Sequence, residues 1–276
     1  MSGYSWENEW RLQNLKEESF LVKHVMDKTP KWVTLAKRKV PDSLQNTLDA
    51  AFNKAFVAVF EKGSGVIEKT YRKKKQLQVF QDNKKEMDTS VFQGKALRKF
   101  ERQAKRTIYK NLTISMVEGI GLGLVGWGIP DIPIFVSIML KSIYEIAISY
   151  GFQYTTEREK LFILKVIDTA LKSGDTLREK DEQLNRILDR YSAEEMEYPQ
   201  GEEDVFVTEL QIKRQIDATS DALSHALLYG KFVQGTMVIG VVGGAADVTC
   251  LKQITEYAAL KYKRRFLMRQ RSQAMS

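Results

Sequence analysis

The sequence predicts an all-α protein, a multi-helix bundle with two glycine-rich helices at its centre. Three observations carry this. Proline is scarce, at five in 276 residues, so few positions forbid a helix. Apolar residues recur at three- and four-residue spacing, and alternating Val/Thr runs bounded by turns are absent. Nine of the 17 glycines fall in two short windows, five between Gly119 and Gly128 and four between Gly235 and Gly244. With 43% hydrophobic residues the chain can bury a real core, and residues 1–276 read as one helical domain.

Residues 1–110 supply amphipathic and basic helices. Over 5–28, Trp6, Trp10, Leu12, Leu15, Phe20, Leu21 and Val25 recur near helical spacing behind Ser5 as a cap. Pro30 and Pro41 bracket residues 31–40. Asp42 or Ser43 then caps a helix with Leu44, Leu48, Phe52, Ala55, Phe56, Val59 and Phe60 on one face, and Gly63-Ser64-Gly65 interrupts it. Residues 66–80 carry Lys69, Arg72, Lys73, Lys74 and Lys75, and 81–95 reads as a loop. Residues 95–110 are helical and basic, with seven Lys/Arg against Glu101 alone. The first glycine segment and a long helix occupy 111–151, with Gly151 at a plausible C′ position. Thr155 or Thr156 caps the next helix, Gly174 stops it, and a charged helix runs to about Tyr191. Residues 193–204, with six acids, Pro199 and Gly201, read as an exposed acidic linker, since no calcium-loop spacing is present. An amphipathic helix follows over 205–230, and residues 232–270 hold the second glycine segment and a basic terminal helix.

The glycine segments read VEGIGLGLVGWGIPD (117–131) and GTMVIGVVGGAAD (235–247). Gly119 and Gly123 stand one turn apart, as do Gly240 and Gly244, and Gly126 extends the first set. Such spacing lets another backbone approach closely. Glycine in a helix costs roughly 1 kcal/mol relative to alanine, so close packing must offset it. The inference is that the two segments touch. An echo supports kinship: Lys141-Ser-Ile-Tyr-Glu145-Ile-Ala147 and Lys252-Gln-Ile-Thr-Glu256-Tyr-Ala258 share K-x-I-x-E-x-A. Either two related units pack about a pseudo-twofold axis, or two helices resemble each other by chance.

Between Asn111 and Leu140 the charges are Glu118 and Asp131, and between Phe232 and Leu251 there is only Asp247. Either stretch is long enough to span a bilayer. The apolar residues contribute roughly −0.3 to −0.6 kcal/mol each, which barely offsets a central acid at about +2.5 to +3.5. Independent insertion is marginal. The flanks are basic: Arg98, Lys99, Arg102, Lys105, Arg106 and Lys110 before the first segment, Lys261, Lys263, Arg264 and Arg265 after the second. With a net charge of +8, this fits an anionic membrane surface or a membrane transporter as partner. A solubilising surface on a soluble bundle fits too. Phe100, Tyr109, Tyr262 and Phe266 interleave with the cations, but no nucleic-acid motif accompanies them, so nucleic acid is the weaker reading.

Little in the sequence points to a reaction. One cysteine, Cys250, between apolar neighbours, reads as a buried inert thiol in a reducing compartment. The N-terminus lacks a signal-peptide pattern, which predicts a cytoplasmic protein. His24 and His225 have no second ligand at metal spacing, and no complete dinucleotide or Walker motif occurs, so no metal or cofactor is expected. The catalytic candidates are the acids Asp131, Asp247, Glu118 and Glu145. For Asp131 and Asp247, helix capping is the plainer role. Ser137, Lys141, Glu145 and Ser149 make a polar stripe in which Lys141 and Glu145 can pair, lining a pocket or simply forming the wetter face of a buried helix.

A glycine segment, G-x-P-D-x-P, a long helix ending Glu145-Ile-Ala147 and Tyr150-Gly151, a second glycine segment and an Ala258/Tyr262 helix together resemble the EcsC family of bacterial proteins. The resemblance spans roughly Trp10 to Phe266 and is most specific over Gly126 to Gly151. It implies a place beside an ABC-type exporter, after which the family is named, and brings no agreed reaction. Gly126, Pro130, Asp131, Pro133, Glu145, Tyr150 and Gly151 are the motif positions. Family members often carry Asn where this chain has Asp247, which argues against a paired-acid site. The expectation is a non-enzymatic helical protein, peripheral at the inner face of the cell membrane. The alternative is an enzyme or lipid-binding module with a pocket near Asp131 and the Lys141/Glu145 stripe.

Overall fold

The computed structural model describes residues 6–25, 42–61, 65–89, 93–122, 132–197, 207–233 and 243–275. The helices are α1 (Trp6–Val25), α2 (Asp42–Glu61), the single turn α3 (Gly65–Glu68), α4 (Lys73–Thr89), α5 (Gln93–Leu122) and α6 (Ile132–Ser149). They continue with α7 (Glu157–Ala170), α8 (Gly174–Glu197), α9 (Glu209–Val233) and α10 (Gly243–Met275), and no described residue lies in a strand. The protein is all-α, a multi-helix bundle.

Two helices organise it. The terminal helix α10 packs against α1, α5, α6, α7, α8 and α9, while α6 packs against α2, α3, α4, α5 and α10. From Phe135 onward α6 is buried almost all round and mainly apolar, as befits a helix enclosed by others. Among the described residues it alone is long and apolar enough to cross a membrane, yet 78% of that window is buried inside the protein. Neighbouring helices account for its apolarity.

The ends of α6 and α7 follow local chemistry. Gly151 adopts φ 79° and its N–H donates to Ile148 O, while the Phe152 N–H reaches Ala147 O, the paired bonds of a Schellman cap. Thr156 is the N-cap of α7, its hydroxyl accepting from the Glu159 N–H at 3.2 Å. Rings then tie α4, α5 and α10 together: Phe80 lies 5.6 Å from Phe100, and Phe100 5.0 Å from Phe266.

Several sequence expectations change. Residues 81–89 continue α4 rather than forming a loop, because no Gly or Pro interrupts 73–89 and Met87 buries against the core. Residues 193–197 of the expected acidic linker belong to α8, and 198–204 lie outside the described residues. On α1 the inward face is not the apolar one: Gln13 and Glu17 are buried with Phe20 and Leu21, while Leu12 and Leu15 are exposed. The reason lies in α10, whose cations draw the carboxylates of α1 inward. Residues 31–40 lie outside the described residues.

The K-x-I-x-E-x-A echo holds for its apolar positions only. Ile143, Ala147, Ile254 and Ala258 are all fully buried, but Glu145 is enclosed whereas Glu256 is only half-buried, beside Lys252 at 3.9 Å.

Candidate functional site

The basic residues divide into an outer and an inner set. On α5, Arg98, Arg102, Lys105, Arg106 and Lys110 are exposed and Tyr109 stands out at 68% exposure. Arg98, Arg102 and Lys105 follow one another at four- and three-residue steps, as Arg106 and Lys110 do at four, so the five lie along one side of the helix. At 1.5 Å per residue, Arg98 to Lys110 spans about 18 Å. The ion pairs of this helix run through other positions or its far end: Lys99 meets Glu86, Glu101 meets Lys263 and Lys16, and Lys110 lies 3.6 Å from Glu145. Burial works to raise the Glu101 pKa, but Lys263 and Lys16 outweigh it and hold the carboxyl below its ordinary range. The one acid of this stretch thus faces inward, and the outer face is purely cationic.

The α10 set does not form such a face, contrary to the sequence expectation. Lys261 is 0% exposed, between Glu17 Oε2 at 2.7 Å and Asp181 Oδ1 at 2.6 Å. Lys263 is buried against Glu101 and Glu9, Arg264 reaches Glu17 at 3.2 Å, and Arg265 reaches Glu159 at 2.6 Å. Helices surround α10, so its cations survive burial only by meeting acids from α1, α5, α7 and α8. Tyr257 and Tyr262 donate to Asp181 and Glu159, both at 2.6 Å. No sequence pattern announces these partners, which come from distant parts of the chain.

Glu145 is the one candidate acid whose side chain is described. It is fully buried, and both carboxylate oxygens are occupied: Oε1 accepts from Gln76 Nε2 and Oε2 from Asn111 Nδ2, each at 2.6 Å. The expected local pairing with Lys141 is replaced by these donors from α4 and α5. Nearby, Tyr154 donates to Glu68 at 2.8 Å, contacts the Tyr71 hydroxyl and stacks on Tyr144 at 4.0 Å. Burial first, and then the negative charge of Glu68 and Glu145, pushes Tyr71 well above the usual tyrosine range. This is a polar strut joining α4, α5 and α6.

Glu118 and Gly119 fall within α5, and Gly244 and Asp247 within α10, but their side-chain surroundings lie outside the described residues, as do Gly123, Gly126, Asp131 and Gly240 entirely. Asp131 immediately precedes α6. Asp247 is not the cap of α10, because the helix begins four residues earlier at Gly243. The glycine contact therefore rests on the sequence. Cys250 is buried and forms no disulfide.

The match to known proteins spans this entire arrangement. The model of the EcsC protein family covers residues 8–267, from α1 to the cationic half of α10. The chain belongs to the EcsC family. It is similar to Protein EcsC of Bacillus subtilis (strain 168), at 25% identity over 169 residues, covering 60% of this chain and 61% of that relative. No solved structure matches. The bundle thus gives this EcsC family member its spatial frame, in which the α5 stripe is an outward cationic feature and Glu145 an enclosed acid.

Proposed function

We propose that this EcsC family protein is a peripheral membrane-associated module that binds the anionic inner leaflet through the outer face of α5 and acts by binding rather than by catalysis. The carrying observation is the stripe Arg98, Arg102, Lys105, Arg106 and Lys110 with Tyr109 exposed among them. Cations attract anionic headgroups, and an exposed tyrosine suits the headgroup level. In the sequence the stripe is followed, after residues 111–118, by the uncharged glycine segment 119–130. Glu145 supports a binding role over a catalytic one, since both its oxygens already serve packing. The ABC-type exporter association implied by the family would place a partner in the same leaflet.

Sedimentation with phosphatidylcholine vesicles containing phosphatidylglycerol tests this. Binding is expected to fall steeply with salt and to need the anionic lipid. Each cation near such a surface contributes about 1 kcal/mol, so Arg98, Arg102, Lys105 and Arg106 changed together to Gln should weaken it about a thousandfold. Equal partition onto neutral vesicles, or full binding by the variant, would overturn the reading.

A further inference from the structure

A second cationic feature lies at the junction of α7, α8 and α9. Asp168 of α7, 2% exposed, holds Lys180 of α8 at 2.6 Å and Lys172 at 2.9 Å. Gln215 of α9 bridges the group, its Nε2 lying 3.4 Å from Asp168 Oδ2 while its Oε1 accepts from Lys165 Nζ at 3.2 Å. Lys172, in the turn between α7 and α8, and Lys180 of α8 therefore converge on one carboxylate, and Gln215 holds Lys165 of α7 beside them.

The charge does not balance. Lys165 pairs with a neutral amide, and both Lys172 and Lys180 share the single negative charge of Asp168. Burial, and then repulsion from Lys180 with a further contribution from Arg190, lowers the Lys165 pKa against the pull of Asp168. Arg190 itself is exposed on α8. On α10 the buried lysines are neutralised more fully, Lys261 and Lys263 each meeting two carboxylates. An excess of positive charge at a half-buried junction is the exception.

We propose that this junction binds a phosphate monoester group, with Lys165, Lys172 and Lys180 as its cationic ligands, Arg190 at its rim, and Asp168 and Gln215 fixing the lysines in place. Each ammonium has three donors and spends about one on Asp168 or Gln215, so donors remain for a ligand. The excess charge matches a doubly charged, four-oxygen group better than a carboxylate, and lysine is suited to phosphate as a point charge. The monoester could belong to a soluble molecule or to a lipid headgroup. The site is separate from the α5 stripe and does not rest on the membrane reading.

Calorimetric titration of inorganic phosphate and pyrophosphate into the full chain tests the site. A parallel arm sediments the chain with phosphatidylcholine vesicles containing phosphatidate, a monoester, or phosphatidylglycerol, a diester, at equal surface charge. Saturable binding is expected, at least tenfold weaker in Lys165→Gln/Lys180→Gln. That variant keeps Lys172 beside Asp168, and its melting midpoint checks the fold. Lys165→Arg keeps the charge and should bind within a few-fold of the unaltered chain. The α5 variant with four cations changed to Gln should still bind free phosphate, which separates this result from the membrane test. Binding of free phosphates supports a soluble ligand, and a phosphatidate preference lost in the double variant supports a headgroup. Failure of both probes to bind saturably, or undiminished binding by a folded double variant, overturns the proposal.

Discussion

Lys261 shows what a single residue can hide. Its place in a run of Lys and Arg reads as surface, yet it has no exposure and sits between Glu17 and Asp181, with Asn185 Oδ1 accepting from it at 2.9 Å. Its removal leaves two carboxylates buried, one of them also bound to the Tyr257 hydroxyl. Lys261→Met is therefore expected to cost about 3–5 kcal/mol, read as a drop in the urea midpoint. Asp181→Asn/Lys261→Met together should regain most of that loss, because Glu17 keeps Arg264 as its partner and the amide put at position 181 can still accept from Tyr257. A single variant within about 1 kcal/mol of the unaltered protein would show that the triad is not a structural clamp. The sequence could not reveal this, since the partners come from α1 and α8, and charge counting cannot distinguish a cation facing water from one facing a distant acid.

At the scale of elements, what was legible is what depends on neighbours in sequence. The helices over 42–61, 132–149 and 157–170 follow from apolar periodicity and from caps, and Thr156 and Gly151 stand where local rules put them. What was not legible is which face a helix turns inward when charge competes with apolarity, as on α1. Gly151 carries a prediction at this scale. Its φ of 79° is strained for any L side chain, and a Cβ there would meet the ring of Phe80 at 2.1 Å. Gly151→Ala is expected to lower stability by about 1–2 kcal/mol from the backbone alone, with more from displacing Phe80 out of its contact with Phe100. Thermal unfolding measures it. A midpoint unchanged within error would mean that the end of α6 does not depend on this cap.

Across the whole molecule, the interior is unusually rich in tyrosine hydroxyls held by acids. Tyr257 and Tyr262 donate to Asp181 and Glu159, Tyr154 donates to Glu68, and Tyr71, Tyr144 and Tyr150 are enclosed as well. Burial chiefly, and then adjacent carboxylates or, at Tyr144 and Tyr154, first the neighbouring Tyr71, raises the pKa of all six above the ordinary value. In the unfolded chain these phenols ionise near pH ~10. A folded-state pKa raised above the unfolded one stabilises the fold fully below that pH, and the contribution is lost as pH rises beyond it. The six are spread over α3–α4, α6, the α6–α7 connection and α10, so their ionisation cannot be confined to one corner of the bundle. Alkaline titration should therefore show phenolate absorbance from these rings emerging in one cooperative step with loss of helical circular dichroism, above the pH at which free tyrosine ionises. Gradual titration of all six with the helical signal intact would mean that water reaches them, and that the polar struts between helices are not the closed contacts described above.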